Sequence, residues 1–175
     1  MQVASRNGFT LIEVLVALVI VAVGLLGFAS LQMSGMQRIE QSRAGRSGTT
    51  ALRNLSERIS AMPVAARAHL FDFDNLATGS APQAPDCTDA TQNCTDSQLA
   101  RFELKRWYDE VQGSLASPRF NVTSALTSEG TTRVAISLIW DAALTGSAAS
   151  SCTADSDGHF LANSHICRNL ELLLP

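Results

Sequence analysis

The chain has 175 residues, with 13 basic against 16 acidic side chains and a formal net charge of −3. That balance, with no Lys/Arg cluster outside one helical stretch, lacks the electrostatic footprint of a nucleic-acid-binding protein, and no nucleic-acid partner is expected. Once a single long apolar run is set aside, the remainder suffices for one modest domain and not for two.

The apolar run starts directly after a leader, Met1 to Gly8, and extends from Phe9 to about Leu31. As a helix rising about 1.5 Å per residue, it exceeds the roughly 30 Å hydrocarbon core, so it crosses a bilayer with tilt or projects from it. No second such run follows, and the chain reads as a single-span protein. Only Glu13 interrupts the run with an ionisable side chain. A charge at the membrane centre costs roughly 2.5 to 3.5 kcal/mol on insertion scales, and such residues usually mark function. Glu13 therefore needs a cationic partner.

Three readings of this N-terminus compete. A secretory signal peptide would use Arg6 as its charged region and Gly27-Phe28-Ala29 as a cleavage pattern, but the apolar stretch exceeds the usual core of about 7 to 15 residues and carries a charge near its start. An ordinary transmembrane anchor has no use for Glu13. Removal of the leader after Gly8 instead makes Phe9 a new, positively charged amino terminus one helical turn from Glu13, which supplies the missing partner.

The residues Gly8-Phe9-Thr10-Leu11-Ile12-Glu13-Val14-Leu15-Val16-Ala17-Leu18 resemble the class III leader and first helix of type IV pilins and type II secretion pseudopilins. The resemblance implies cleavage by a prepilin peptidase after Gly8, N-methylation of Phe9, and an assembly role for Glu13. The continuation from Val23 to Gln32, Val-Gly-Leu-Leu-Gly-Phe-Ala-Ser-Leu-Gln, is similar to that of PilV-type minor pilins. In a bundle of such helices Glu13 meets the amine of a neighbour, which sets axial register because any other offset leaves a buried charge unpaired. Gly24 and Gly27 each cost about 1 kcal/mol of helix propensity relative to Ala; they suit either close helix packing or a point where the helix can stretch.

Beyond Leu31 the helical rhythm continues in amphipathic form, with Met33, Met36 and Ile39, then Leu52, Leu55, Ile59 and Met62 at spacings of three or four, and the intervening polar residues facing water. Pro63 predicts a stop near Ala61 or Met62, and Gly45 and Gly48 are places where the helix could bend. Arg38, Arg43 and Arg46 follow the span while only Arg6 precedes it, which by a simple positive-inside count would leave the C-terminal side in the cytoplasm. Long domains translocate largely regardless of flanking charge, and four cysteines argue for an oxidising compartment, so the domain is expected outside the cytoplasm.

Ala77 to Gln98 reads as a loop carrying Cys87 and Cys94. Four cysteines allow three pairings. Joining nearest neighbours would pair Cys87 with Cys94 and Cys152 with Cys167, and for the larger loop the constraint on the unfolded chain is worth about 3 kcal/mol. From about Ser97 to Leu115 a second helix is predicted, with Leu104, Trp107, Tyr108, Val111 and Leu115 on a core face, and Lys105 to Asp109 and Arg106 to Glu110 as exposed i,i+4 pairs. Arg119 to Leu126 and Thr131 to Trp140, around Ser128-Glu129-Gly130, predict an antiparallel hairpin; Ile166 to Leu174 offers a further strand tied back by Cys167. In placement, Cys152 to Cys167 resembles the D-region of pilins.

No catalytic motif stands out. His69, His159 and His165 lack a metal-binding spacing, no nucleophile elbow or phosphate-cradling loop is present, and a zinc site from Cys152, His159, His165 and Cys167 is weaker than a disulfide with two surface histidines. Asp155-Ser156-Asp157-Gly158 opens like a calcium loop but lacks its downstream acid. No enzyme, metal or cofactor is expected.

The sequence thus predicts an α+β protein: a long N-terminal helix, transmembrane in its first half and amphipathic in its second, packed on a small antiparallel β-sheet with a second short helix and disulfide-bounded loops. Its expected divisions are a leader (1–8), an assembly helix (9–31), the helix's continuation (32–62) and an extracytoplasmic domain (63–175). The resemblance implies a minor pilin held in the inner membrane with its C-terminal domain in the periplasm, then carried into a pilus fibre at the cell surface. Its implied partners are the prepilin peptidase, the major pilin, other minor pilins, the inner-membrane assembly platform and, before assembly, membrane lipid. A type II secretion pseudopilin and a membrane-tethered adhesin or ligand-binding domain are the alternatives.

Overall fold

A computed structural model describes residues 10–89, 93–146 and 165–175. Two compact units are distinguished, Met1–Glu40 and Gln41–Pro175. The long helix α1, Leu11–Ser60, contributes to both. It opens with the Thr10 carbonyl accepting from the N–H groups of Glu13 and Val14, and closes in a tightened turn where the Met62 N–H donates to the Ile59 carbonyl. Pro63 then starts a short helix α2, Pro63–Arg67, at the first position, where a missing N–H costs nothing. The predicted stop near Ala61 thus matches the structure to within a residue or two.

In the second unit, α1 gives Leu52, Leu55 and Ile59 to the core, all but fully buried. They meet α3, Asp96–Gln112, through Leu104, Trp107, Tyr108 and Val111, the face predicted from spacing. Leu115 is also buried, although the helix ends three residues before it and a turn carries the chain on. At its start, α3 takes three residues from the expected loop. Thr95 accepts from the Gln98 N–H while the Gln98 side chain accepts from the Thr95 N–H, a capping box readable in Thr95-Asp96-Ser97-Gln98.

The helices cover one face of a four-stranded antiparallel sheet in the order β1-β2-β3-β4, with β1 Phe73–Asp74, β2 Arg119–Leu126, β3 Thr132–Asp141 and β4 His165–Leu174. The hairpin and the last strand lie where alternation placed them. Val134, Ile136, Leu138 and Trp140 all point into the core, and Ile136 sits between Val122 on β2 and Leu170 on β4. Gly130 closes the hairpin at φ 79°, a left-handed conformation that favours glycine. The two-residue β1 has no periodicity to announce it. Buried Asn75 fixes it to β2: its side-chain oxygen accepts from the Phe120 N–H at 2.7 Å, and its amide donates to the Ser80 carbonyl at 2.9 Å.

Three expectations change. Met33, Met36 and Ile39 are 67%, 68% and 54% exposed, so the first part of the amphipathic stripe is not core. Arg58, expected to face water, is drawn to α3 because two carboxylates stand there: its guanidinium donates to Glu103 and Glu110 at 2.9 Å each, with only 17% of the side chain exposed. Gly48, expected as a place for a bend, is a point of close approach. A β-carbon there would stand 2.5 Å from the Trp140 ring.

Gly48→Ala should therefore overpack this junction and cost about 1 to 3 kcal/mol. Gly45→Ala, where a β-carbon meets nothing within 4 Å, should be neutral or stabilising by up to about 1 kcal/mol. Thermal unfolding of the full chain in detergent, followed by tryptophan fluorescence, separates the two; equal midpoints would contradict the close-packing account.

Candidate assembly site

From Leu11 to Leu31 the large apolar side chains of α1 are about half to more than four-fifths exposed, from 49% at Val14 to 84% at Leu11. Long enough and apolar enough to cross a membrane, this helix has none of its apolar window buried within the chain. A contiguous surface of this kind is covered either by lipid or by other helices.

Glu13 lies in the first turn, beside a shallow depression left by the small side chain of Ala17 and lined further by Val14, Leu18 and Val21. Magnitudes decide what such a carboxylate requires. The helix dipole favours an acid in the first turn by about 0.3 to 1 kcal/mol, less than the roughly 2.5 to 3.5 kcal/mol that a charge costs at the centre of a membrane-spanning helix. The next cation along α1 is Arg38, about 37 Å away at 1.5 Å per residue. Among the described residues, no cation of the apolar segment reaches Glu13. Gly8 and Phe9, the expected cleavage and methylation positions, lie outside the described residues.

Residues 4–29 match the family model of the prokaryotic N-terminal methylation motif. The match spans leader and apolar helix together, supports a type IV pilin-like prepilin, and points to a structural subunit. No curated protein and no solved structure matches the chain.

The disulfide expectations fall on either side of what is described. Cys87 and Cys94 are joined, closing a short loop between β1 and α3. Beside this bond Asp86 accepts from the hydroxyl and the N–H of Thr88, which hold its carboxyl below the usual range. Cys167 is also disulfide-bonded; its expected partner, Cys152, lies outside the described residues, as does His159. An oxidised Cys167 supplies no thiolate, which removes one ligand from the zinc alternative. Among the described residues no group of three or more His, Cys, Asp or Glu could hold a metal ion.

One structural residue escaped the sequence reading. Asp141, at the end of β3, is 2% exposed. Its carboxylate accepts from the Gly146 N–H at 2.8 Å, the Thr145 hydroxyl at 3.1 Å and the Ala143 N–H at 3.2 Å. The turn so fixed holds Leu144 at φ 55°, a left-handed conformation costly for a residue with a β-carbon. Burial alone would raise the Asp141 pKa, but these three bonds and the nearby charge of His165, its β4 register partner, bring it below the ordinary carboxylate value. No periodic pattern marks such a residue, since its role comes from the turn it closes.

A depressed folded-state pKa gives stability that is fully present above the unfolded value of about 3.9 and lost as pH falls through the folded value. Asp141→Asn should cost about 1 to 3 kcal/mol at pH 7 and flatten the acid limb of the stability profile. Urea unfolding of the detergent-solubilised chain from pH 7 down to pH 2 checks both; an unchanged acid limb would contradict the assignment.

Proposed function

We propose that this chain is the precursor of a minor pilin of a type IV pilus. The prepilin peptidase removes residues 1–8, Phe9 becomes the methylated amino terminus, and residues 9–31 hold the subunit in the inner membrane before carrying it into the fibre. Residues 32–62 continue the helix toward an extracytoplasmic domain, 63–175, to which the second half of α1 also contributes core residues. Affinity comes from burial of the apolar helix among others like it, and register from pairing Glu13 with an amine. Neighbouring pilins, the assembly platform and the bilayer are the partners in this reading.

The observation that carries the proposal is the methylation motif on a helix whose apolar part, long enough to cross a membrane, has one acid, Glu13, in its first turn. The Cys87–Cys94 bond supports export, because disulfides persist mainly in oxidising compartments. The net charge of −3 supports a role that involves no nucleic acid.

Two measurements test the proposal. Intact-mass analysis of the membrane-bound protein should give a chain starting at methylated Phe9, whereas a chain starting at Ser30 would show ordinary signal-peptide removal and overturn the proposal. Deleting the gene should reduce surface piliation and leave protein secretion intact. Normal piliation with failed secretion would assign the subunit to a type II system, and normal piliation with lost surface attachment to a tethered adhesin.

A further inference from the structure

The first cation after the apolar run, Arg38, stands exposed on α1 and has no ion pair among the described residues. Around it the helix stays apolar in part, with Met33 67% and Met36 68% exposed. At about 100° per residue, these two methionines point about 140° to 160° away from Arg38. A partner laid against one side of the helix would meet the methionines or the arginine. Only a medium that surrounds the helix meets both at the same height.

Lengths along the axis say where that medium changes character. Arg38 lies about 10 Å beyond Leu31, where the apolar run closes. The polar layer on each side of the roughly 30 Å hydrocarbon core is about 5 to 8 Å deep. Helical side chains lean toward the N-terminus, and arginine carries its charge at the end of a long apolar stem, so the Arg38 guanidinium reaches back into that layer. Met33 and Met36, about 3 and 8 Å past Leu31, lean the same way and fall at the boundary between acyl chains and headgroups. From the other end, Glu13 to Arg38 is about 37 Å, longer than the hydrocarbon core and shorter than the roughly 40 to 45 Å of the whole bilayer. One placement therefore puts both ionisable groups in the polar layers of opposite leaflets.

We propose that Arg38 binds the phosphate of an anionic phospholipid in the leaflet at the C-terminal end of the span, with Met33 and Met36 at the acyl boundary of the same leaflet. A guanidinium matches two phosphate oxygens at once, and a headgroup of net negative charge adds an attraction that a zwitterionic one cancels. The contact fixes how far α1 projects from the membrane. Sliding the helix outward by a turn, about 5.4 Å, draws Arg38 away from the phosphates, and sliding it inward carries the charge toward hydrocarbon. This inference rests on the membrane-held stage of the reading above, and it requires neither leader cleavage nor a cation beside Glu13.

The test places the full chain in nanodiscs of phosphatidylcholine, with a fluorophore on Gln37→Cys beside Arg38; among the described residues no free thiol competes for the label. Trace phosphatidylglycerol or trace phosphatidylcholine, each carrying a nitroxide near the headgroup end of an acyl chain, quenches the fluorophore in proportion to its local concentration. Phosphatidylglycerol should quench about fivefold more effectively at low ionic strength. Arg38→Lys should keep that preference and Arg38→Gln should abolish it, while Arg53→Gln, which removes an exposed arginine about 22 Å further along α1, should leave it unchanged. Equal quenching by the two lipids without any change at Arg38, or a preference that survives Arg38→Gln, overturns the proposal. A second fluorophore, on Ile20→Cys, should be quenched by a nitroxide at the middle of the acyl chain. That signal without a phosphatidylglycerol preference at position 37 overturns the phosphate contact and leaves the membrane-held reading intact, whereas absence of the signal at position 20 overturns both.

Discussion

A lone carboxyl side chain, Glu13, on a helix otherwise made for oil is the constraint on which the rest of this molecule turns. Leucine, valine and isoleucine on α1 pack against lipid or against each other in many registers of nearly equal energy. In the proposed assembly Glu13 removes that freedom, since a charge buried among apolar helices favours the register in which a cation stands beside it. The helix dipole is too weak to serve, and Arg38 is too far along the helix. The proposed cleavage would generate a cation at Phe9, close to Glu13 in sequence and of the right sign. In the proposed reading, cleavage and assembly become two aspects of one electrostatic requirement, because the amine that would pair with Glu13 is generated by removal of residues 1–8.

The second unit shows how a chain with one long helix still builds a domain. The α1 residues Leu52, Leu55 and Ile59 join the core of α3 and the sheet, so the helix that begins with the apolar run is also a structural wall of the fold. Two local devices fix that wall. Gly48 lets the helix backbone meet the Trp140 ring without an intervening side chain, and Arg58 links α1 to the acids of α3. Next to Trp140 at the end of β3, Asp141 organises the turn after the strand with a buried carboxylate that has three donors of its own. A buried charge so fully hydrogen-bonded is tolerated where an unpaired one would not be.

Much of this was legible in the residues, for reasons that differ by element. The span, α3 and the hairpin have apolar residues at the period of their own secondary structure over a sufficient length, and the signal survives packing. The pairs Lys105 to Asp109 and Arg106 to Glu110 are likewise local, and stand at 2.6 and 3.7 Å. What spacing could not give were contacts made across the fold. Arg58 looked like a solvated arginine because its carboxylates lie on another helix, and Gly48 looked like a weak point because Trp140 is remote in sequence. Met33, Met36 and Ile39 kept a core-like period although they stand exposed among the described residues; periodicity says that a face is apolar and not what covers it. At the candidate site, Glu13 was readable because one charge in an apolar run needs no tertiary information to be conspicuous. Gly8 and Phe9 came from local resemblance, and the methylation motif covers the same stretch.

Counting subunits in fibres tests the central electrostatic claim most directly. Glu13→Gln keeps the shape of the side chain and removes its charge, and the ratio of variant to wild-type chain in sheared filaments, normalised to the amount in the membrane, reads the worth of that charge. The account predicts a fall of at least tenfold, the ratio that about 1.4 kcal/mol produces, with cleavage after Gly8 and the Cys87–Cys94 bond unaffected. Incorporation of the glutamine variant at the wild-type level would contradict it.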